Sequence, residues 1–320
     1  FYSWALQNLD IPIGLIPTYE IYYQIKKNGT KDIKGLTLRT FEKYAIEGID
    51  FFSIHSSINR EIATRIQNSN RVIPITSRGG VMLMELMYGL NIENPLYEYL
   101  EEILDICSAY NITLSLINSS RAGSVVDAFD DIELLEFKNQ RDINLAAERK
   151  EVQTIIELLN HVPLNRIPEF MQFGLDMFNG YPLGGLGPLP TDIAVGYDDV
   201  AGAIGASTAF MYGLSWVNCI TAGEHTYLPK REDTFEAIKK FSIAAHIGYT
   251  ARMNDFERDC KLSQARRIND WQSMKKHSIF PESAERLFLE NGYKKGQACS
   301  MCDKECPLVR NVSLNKKYGC

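Results

Sequence analysis

The chain has 320 residues, 45% hydrophobic and 23% charged, and its 34 Lys and Arg against 40 Asp and Glu leave a net charge of −6. That composition supplies a large core and excludes a disordered chain, and the acidic balance, with no basic cluster interleaved with aromatics, argues against a nucleic-acid partner. No apolar run reaches the ~18 residues of a membrane helix, and the opening "FYSWALQNLDIPIG" lacks the basic start of a signal peptide, so a cytoplasmic protein with no membrane partner is the expectation.

Short apolar, β-branched runs, each followed by a polar or glycine-bearing turn, recur along the chain. The first is "IPIGLIPTY" (11–19). A helix-period segment, "TLRTFEKYAIE", places Leu38, Phe41, Tyr44 and Ala45 on one face and leads into "GIDFFSIHSS" (48–57). Then come "RVIPITSRGG" (71–80), "NITLSLINSSR" (111–121), "EVQTIIELLNHVP" (151–163), "GYPLGGLGPLPTDIA" (180–194) and "LSWVNCITAGEH" (214–225), with a candidate eighth run within 244–252. Strands alternating with helices imply parallel strands. The count favours a (β/α)8 TIM-type barrel over a doubly wound open sheet.

Reactive-looking polar residues collect where these runs end: Tyr19, His55, Ser77 to Gly80, Asn118 to Arg121, Glu157 with His161, and Glu224 with His225. One such coincidence is ordinary turn chemistry, but in a barrel all these ends share one mouth. "SRGG", with Ser77, Arg78 and Gly79, reads as a phosphate site, since glycines let backbone N–H groups approach an anion at a strand-to-helix turn. Arg121 adds a fixed fork of donors.

The barrel is expected to span 1–261, and a C-terminal segment 262–320. In that segment, Pro281 reads as a stop between two helices, Ser283 as a cap, and "ENGYKKGQ" as a flexible linker. The linker leads to "CSMCDKEC", where Cys299, Cys302 and Cys306 form C-x2-C-x3-C. Cys107, Cys219, Cys260 and Cys320 are scattered, a poor disulfide framework that fits a reducing compartment. A structural zinc site wants four ligands, which His277 or Cys320 would have to complete. A [4Fe–4S] cluster on three thiolates instead leaves one iron open to a substrate or cofactor such as S-adenosylmethionine. The spacing is that of a radical-SAM motif run backwards, and both readings stand on spacing alone.

From Pro12 to Cys306 the chain resembles the radical-SAM superfamily of thiamine pyrimidine synthase (ThiC) and 5-hydroxybenzimidazole synthase. The resemblance rests on "IPIGLIPTY", "SIHSSI", "ITSRGG", "NHVP", "LGPLPTDIA" with "GYDD" and "IGA", "GEH", "IAAH", "LSQAR" and "CSMC", in that order. It implies a barrel with a C-terminal cluster tail. The implied reaction is reductive cleavage of S-adenosylmethionine by an external electron donor, giving a 5′-deoxyadenosyl radical that rearranges aminoimidazole ribotide.

The resemblance also implies roles for residues. Cys299, Cys302 and Cys306 would ligate the cluster, and His161 with His225 would bind zinc or iron beside the substrate. Tyr19 and His55 would line the ribotide pocket, with Glu157 and Glu224 as catalytic or metal-supporting carboxylates. It further implies a homodimer in which one subunit's tail serves the other.

Three departures stand against the family pattern. "DGLRPG" stands as "NSSRAG", so Asn118 and Ser119 meet the ribose in place of a carboxylate and a glycine. "EGPGHVP" stands as "ELLNHVP", and the last two cysteines are separated by three residues rather than four. Altered walls over retained machinery imply a paralogue with a changed substrate or product. A non-catalytic barrel with a zinc or Fe–S regulatory tail is the alternative of another class.

Overall fold

A computed structural model describes residues 1–29 and 31–318, so Cys320 lies outside the described residues. The chain divides into two compact units, Phe1–Gly248 and Tyr249–Cys320.

The first unit is built on a parallel sheet of six strands: β1 (Gly14–Leu15), β2 (Phe51–Ile54), β3 (Thr113–Leu116), β4 (Thr154–His161), β5 (Leu183–Leu189) and β6 (Trp216–Asn218). They pair in sequence order from β1 to β6, as a curled half-barrel. Side chains alternate across it. Phe52, Ile54, Leu114, Leu116, Ile156 and Leu158 are buried in the main core, whereas Phe51, Ser53, Ser115, Ile155, Glu157, Trp216 and Asn218 line a cavity on the opposite face. The helices used here are α1 (Arg78–Leu90), α2 (Asp131–Arg149), α3 (Asp198–Met211) and α4 (Arg231–Met253).

Six of the eight expected strands form among the described residues, as a parallel half-barrel. The run at 71–80 does not enter the sheet, and β2 pairs directly with β3, Phe51 opposite Thr113. Pro74 lacks a donor, and the N–H groups of Val72 and Ile73 donate to Asp127 at 3.1 and 3.2 Å. Arg71 is buried and donates to Asp130 at 2.6 and 2.7 Å and to the Ser120 carbonyl at 2.6 Å. This segment therefore serves as a brace across the sheet's top. The candidate run at 244–252 lies inside α4, where Phe241 and Ala244 are buried. Gly248 brings α4 against α3: a Cβ there would fall 2.4 Å from the Ser207 carbonyl oxygen.

In the second unit, α5 (Glu257–Arg267), α6 (Trp271–His277) and α7 (Pro281–Glu290) replace the two expected helices. Pro281 opens α7 at its first turn, where a missing N–H costs nothing, and Ser283 lies inside that helix rather than capping it. The expected flexible linker is tied down. Tyr293 stacks on Trp271 with ring centroids 4.6 Å apart, the Trp271 indole donates to the Lys294 carbonyl, and Gly296 N–H donates to Asn269. Among the described residues no helix is long and apolar enough to cross a membrane.

Helix α3 seats on β5 through Gly205, where a Cβ would stand 2.1 Å from the Pro188 carbonyl oxygen. Gly205→Ala forces the helix off the sheet and is expected to cost about 1–3 kcal/mol; a urea midpoint equal to that of the wild type would contradict this packing.

Candidate functional site

The inner face of the half-barrel encloses a cavity of about 390 Å³. Tyr19 and His55 stand on its wall, with Arg121 and Glu157 among its lining, as the positions at strand ends lead one to expect. Arg121 Nη1 lies 3.5 Å from Glu157 Oε1, and Glu157 also accepts from Asn218 Nδ2 at 3.2 Å. Burial pushes the Glu157 carboxyl above its ordinary range, and Arg121 only partly offsets it. Arg121 Nε and Glu157 Oε1 are buried with no hydrogen-bond partner among the described residues. Such groups are costly when left alone, so this corner of the cavity calls for a polar ligand.

His55 is buried and its Nδ1 lies 3.1 Å from Thr18 Oγ1. Burial, assisted by the Arg121 charge, pushes its pKa down to about 3, so the ring is neutral at physiological pH. Gly79 packs directly on it: a Cβ there would fall 2.3 Å from His55 Cε1. Gly80 is likewise pressed on the Ser119 carbonyl oxygen, at 2.0 Å from an added Cβ. Ser77 caps α1 by accepting from Gly80 N–H at 3.2 Å. The glycines of "SRGG" are thus accounted for by close packing of α1 on β2 and β3. Ser77 is spent on the cap, and Arg78 is exposed.

His161, at the end of β4, and His225 come together with ring centroids 5.4 Å apart although 64 residues separate them in sequence (225 − 161). Each ring is held by a carboxylate, His161 Nδ1 at 2.8 Å from Asp192 and His225 Nδ1 at 3.3 Å from Asp198. Burial would raise Asp192, but bonds from His161, Val125 N–H and Ser124 outweigh it and hold the carboxyl below its usual range. Burial lowers His161, against the raising influence of Asp192. An ionised Asp192 facing a neutral imidazole requires the proton on Nδ1, which leaves Nε2 as a metal-ligating nitrogen. His161 with the neighbouring His225 ring supplies two imidazole donors, a set that fits a zinc or iron ion with open positions. Glu224 is exposed and accepts from Thr221 N–H at 3.3 Å, capping its own turn outside the cavity lining.

Asn118 and Ser119 are buried and do not themselves line the cavity; they are bonded to α2 and also to lining residues, the Asn118 carbonyl accepting from Arg121 Nη1 at 3.1 Å. Asn118 Nδ2 lies 3.4 Å from Glu133. The Ser119 hydroxyl is bonded to the Ile117 carbonyl and Ser57, each at 3.2 Å. Glu136 accepts from Ser119 N–H at 2.5 Å and Ser120 N–H at 2.6 Å, and from the hydroxyls of Ser57 and Ser120. Nearby, Leu158 packs on Gly174 and Leu159 on Gly185. Asn160 is buried with neither amide atom bonded among the described residues.

Sequence reasoning missed Asp192, Asp198, Glu133 and Glu136. The two aspartates sit in "PTDIA" and "GYDD", which were noted without a role. The two glutamates are three residues apart on the stripe that carries Ile132 and Phe137, and acidic residues on an apolar stripe were the available signal.

In the second unit the three cysteines lie on one compact turn. Asp303 N–H donates to the Cys299 carbonyl, Glu305 N–H to that of Cys302 and Cys306 N–H to that of Asp303, with Asp303 left-handed at φ 43°. Cys302 is exposed, Cys299 half-buried and Cys306 buried. Three soft thiol donors on one turn, with no fourth on it, match the donor chemistry of an Fe–S cluster with one open iron.

The parallel half-barrel with its cavity and the three-thiol turn fit one class, an α/β radical-SAM enzyme, and the family match shows it. The chain belongs to the Radical SAM ThiC family, which it matches over residues 1–312. It is 38% identical over 307 residues to the phosphomethylpyrimidine synthase of Pelotomaculum thermopropionicum, covering 94% of this chain and 70% of that relative. The enzyme of the same name from Thermotoga neapolitana is 37% identical (93% and 71% covered), as is that of Clostridium kluyveri (98% and 72%). The protein is thus an enzyme of the ThiC type, carrying out a radical-SAM rearrangement with an iron–sulfur cluster and S-adenosylmethionine.

Burial pushes Glu133 up to about 7, only partly offset by the Phe129 N–H. Between the unfolded carboxylate pKa near 4.3 and about 7, the folded state holds the extra proton, so this group makes stability fall as pH rises through that window. Glu133→Gln should therefore gain stability relative to wild type from pH 4.5 to 7 and no further above it. Denaturant titrations at pH 5, 6 and 8 that show a constant difference would contradict the assignment.

Proposed function

We propose that this enzyme rearranges aminoimidazole ribotide, or a close phosphoribosyl relative, on a half-barrel whose strand order is that of a (β/α)8 barrel. The observation that carries the reading is the buried Arg121–Glu157 pair, 3.5 Å apart on the cavity wall, with Tyr19 and His55 lining the same cavity. Arg121 supplies fixed positive charge for an anionic ligand. Glu157, held above its ordinary pKa, accepts from or returns a proton to a nitrogen of the substrate.

His161 and His225 hold a zinc or iron ion, oriented by Asp192 and Asp198. Cys299, Cys302 and Cys306 hold a [4Fe–4S] cluster. When bound, cluster and S-adenosylmethionine supply the 5′-deoxyadenosyl radical, with the electron coming from an external donor. Neutral His55 and the apolar parts of the wall keep water from competing for the site.

The unbonded Asn160 amide and the packed Leu158 and Leu159, standing where the family pattern has a Gly-Pro-Gly turn, favour a paralogue with an altered substrate or product. The working form is a cytoplasmic homodimer in which one subunit's cluster segment serves the other's cavity.

After anaerobic reconstitution and reduction, 5′-deoxyadenosine should form only when aminoimidazole ribotide is present, and mass spectrometry of the product separates a pyrimidine from a benzimidazole. Cys302→Ala should abolish cleavage with an unchanged circular dichroism spectrum. Asp192→Asn should weaken metal binding about 10- to 100-fold while leaving the cluster absorbance intact. Ribotide-independent cleavage overturns the substrate assignment, and unchanged metal affinity overturns the two-histidine site.

A further inference from the structure

The inner face of the sheet ends, toward the strand N-termini, in two aromatic rings. Phe51 and Trp216 both line the cavity. Each faces a glycine that is its own register partner on the neighbouring strand, Gly14 opposite Phe51 and Gly184 opposite Trp216. A Cβ on Gly14 would stand 2.2 Å from the Phe51 ring, and one on Gly184 1.9 Å from the indole. Each ring therefore lies across the adjacent strand only because that strand offers no side chain there.

Ser53 and Asn218, each two residues further along the strand of one ring, and Glu157 of β4 place polar side chains around the same cavity. The indole nitrogen Nε1 of Trp216 is buried with no acceptor among the described residues, a state that a ligand acceptor would relieve. At about 390 Å³ the cavity sits near the small end of the ~300–1,000 Å³ typical of ligand sites, so the size of one ring on its floor decides what enters.

We propose that Trp216, seated on Gly184, is a specificity-determining residue: with Phe51 it forms an aromatic floor that accepts a single-ring nitrogen heterocycle on a phosphoribosyl group and excludes a fused two-ring one. This rests on the reading that the cavity holds a phosphoribosyl heterocycle. Flat heteroaromatic rings gain from stacking on such plates beyond area burial alone, and removing the indole deepens the pocket by roughly the second ring of a purine.

The test is calorimetric titration of the reconstituted protein with aminoimidazole ribotide and with AMP. Trp216→Leu should weaken ribotide binding about tenfold, the scale of one lost aromatic contact, and tighten AMP. Trp216→Phe, which keeps a plate and loses the N–H, should weaken the ribotide only about threefold. Circular dichroism reports folding, and if the leucine variant does not fold, the phenylalanine variant carries the test. A merely structural tryptophan would not change the ribotide-to-AMP ratio, so an unchanged ratio in folded variants overturns the inference and leaves the proposed function standing. Wild-type protein that binds AMP but not the ribotide overturns the proposed function and the single-ring preference together, as does binding of neither nucleotide.

Discussion

One buried carboxylate fixes the geometry on which the site depends. Where β3 ends, the backbone must turn sharply through residues 118–121, and Glu136 receives the N–H groups of Ser119 and Ser120 together with the hydroxyls of Ser57 and Ser120. Burying a charge is costly, and burial does push this carboxyl up despite those bonds. Four donors converging on it offset the cost and make the arrangement hard to rearrange, since any other turn would strand several polar groups at once. Arg71 completes the clamp by taking the Ser120 carbonyl while held by Asp130. The next residue is Arg121, so its guanidinium is delivered to Glu157 by a turn that has no slack.

The sheet's order gives that local rigidity its reach. Because the strands pair in sequence order, residues from opposite ends of the first unit meet at the same strand ends. His161 from β4 and His225 beyond β6 are neighbours, and Asp192 joins the loop after β5 to Ser124 and Val125 in the loop after β3. A single aspartate thereby orients a ring and pins two loops.

Much of this was legible in the sequence. The runs at 11–19, 48–57, 111–121, 151–163, 180–194 and 214–225 all contain strands of the sheet, since alternation and β-branching are backbone-level signals. The polar strand ends led to Tyr19, His55, Arg121 and Glu157, and the two histidines met as their separate strands required. The run at 71–80 was illegible as a brace because Asp127 and Asp130, which satisfy its N–H groups and Arg71, lie more than fifty residues away. For the same reason the packing of Gly79 on His55 and of Gly80 on Ser119 was not visible in "SRGG". Glu133 and Glu136 were missed because the turn that they support lies on a different element from their helix. The segment before the cysteines has linker composition, and it is fastened by the Trp271–Tyr293 stack together with the bonds at Lys294 and Gly296.

The glycine-backed rings on the sheet floor carry a consequence for how such a pocket changes over descent. Gly14 with Phe51, and Gly184 with Trp216, divide a fixed volume between adjacent strands, so neither member of a pair can grow alone. A side chain gained at one position must be matched by a loss at the other, and the two substitutions have to arrive nearly together. The same reciprocity binds His55 at its strand end to Gly79. Change at any of these positions is therefore expected in paired steps that leave a covarying signature between neighbouring elements.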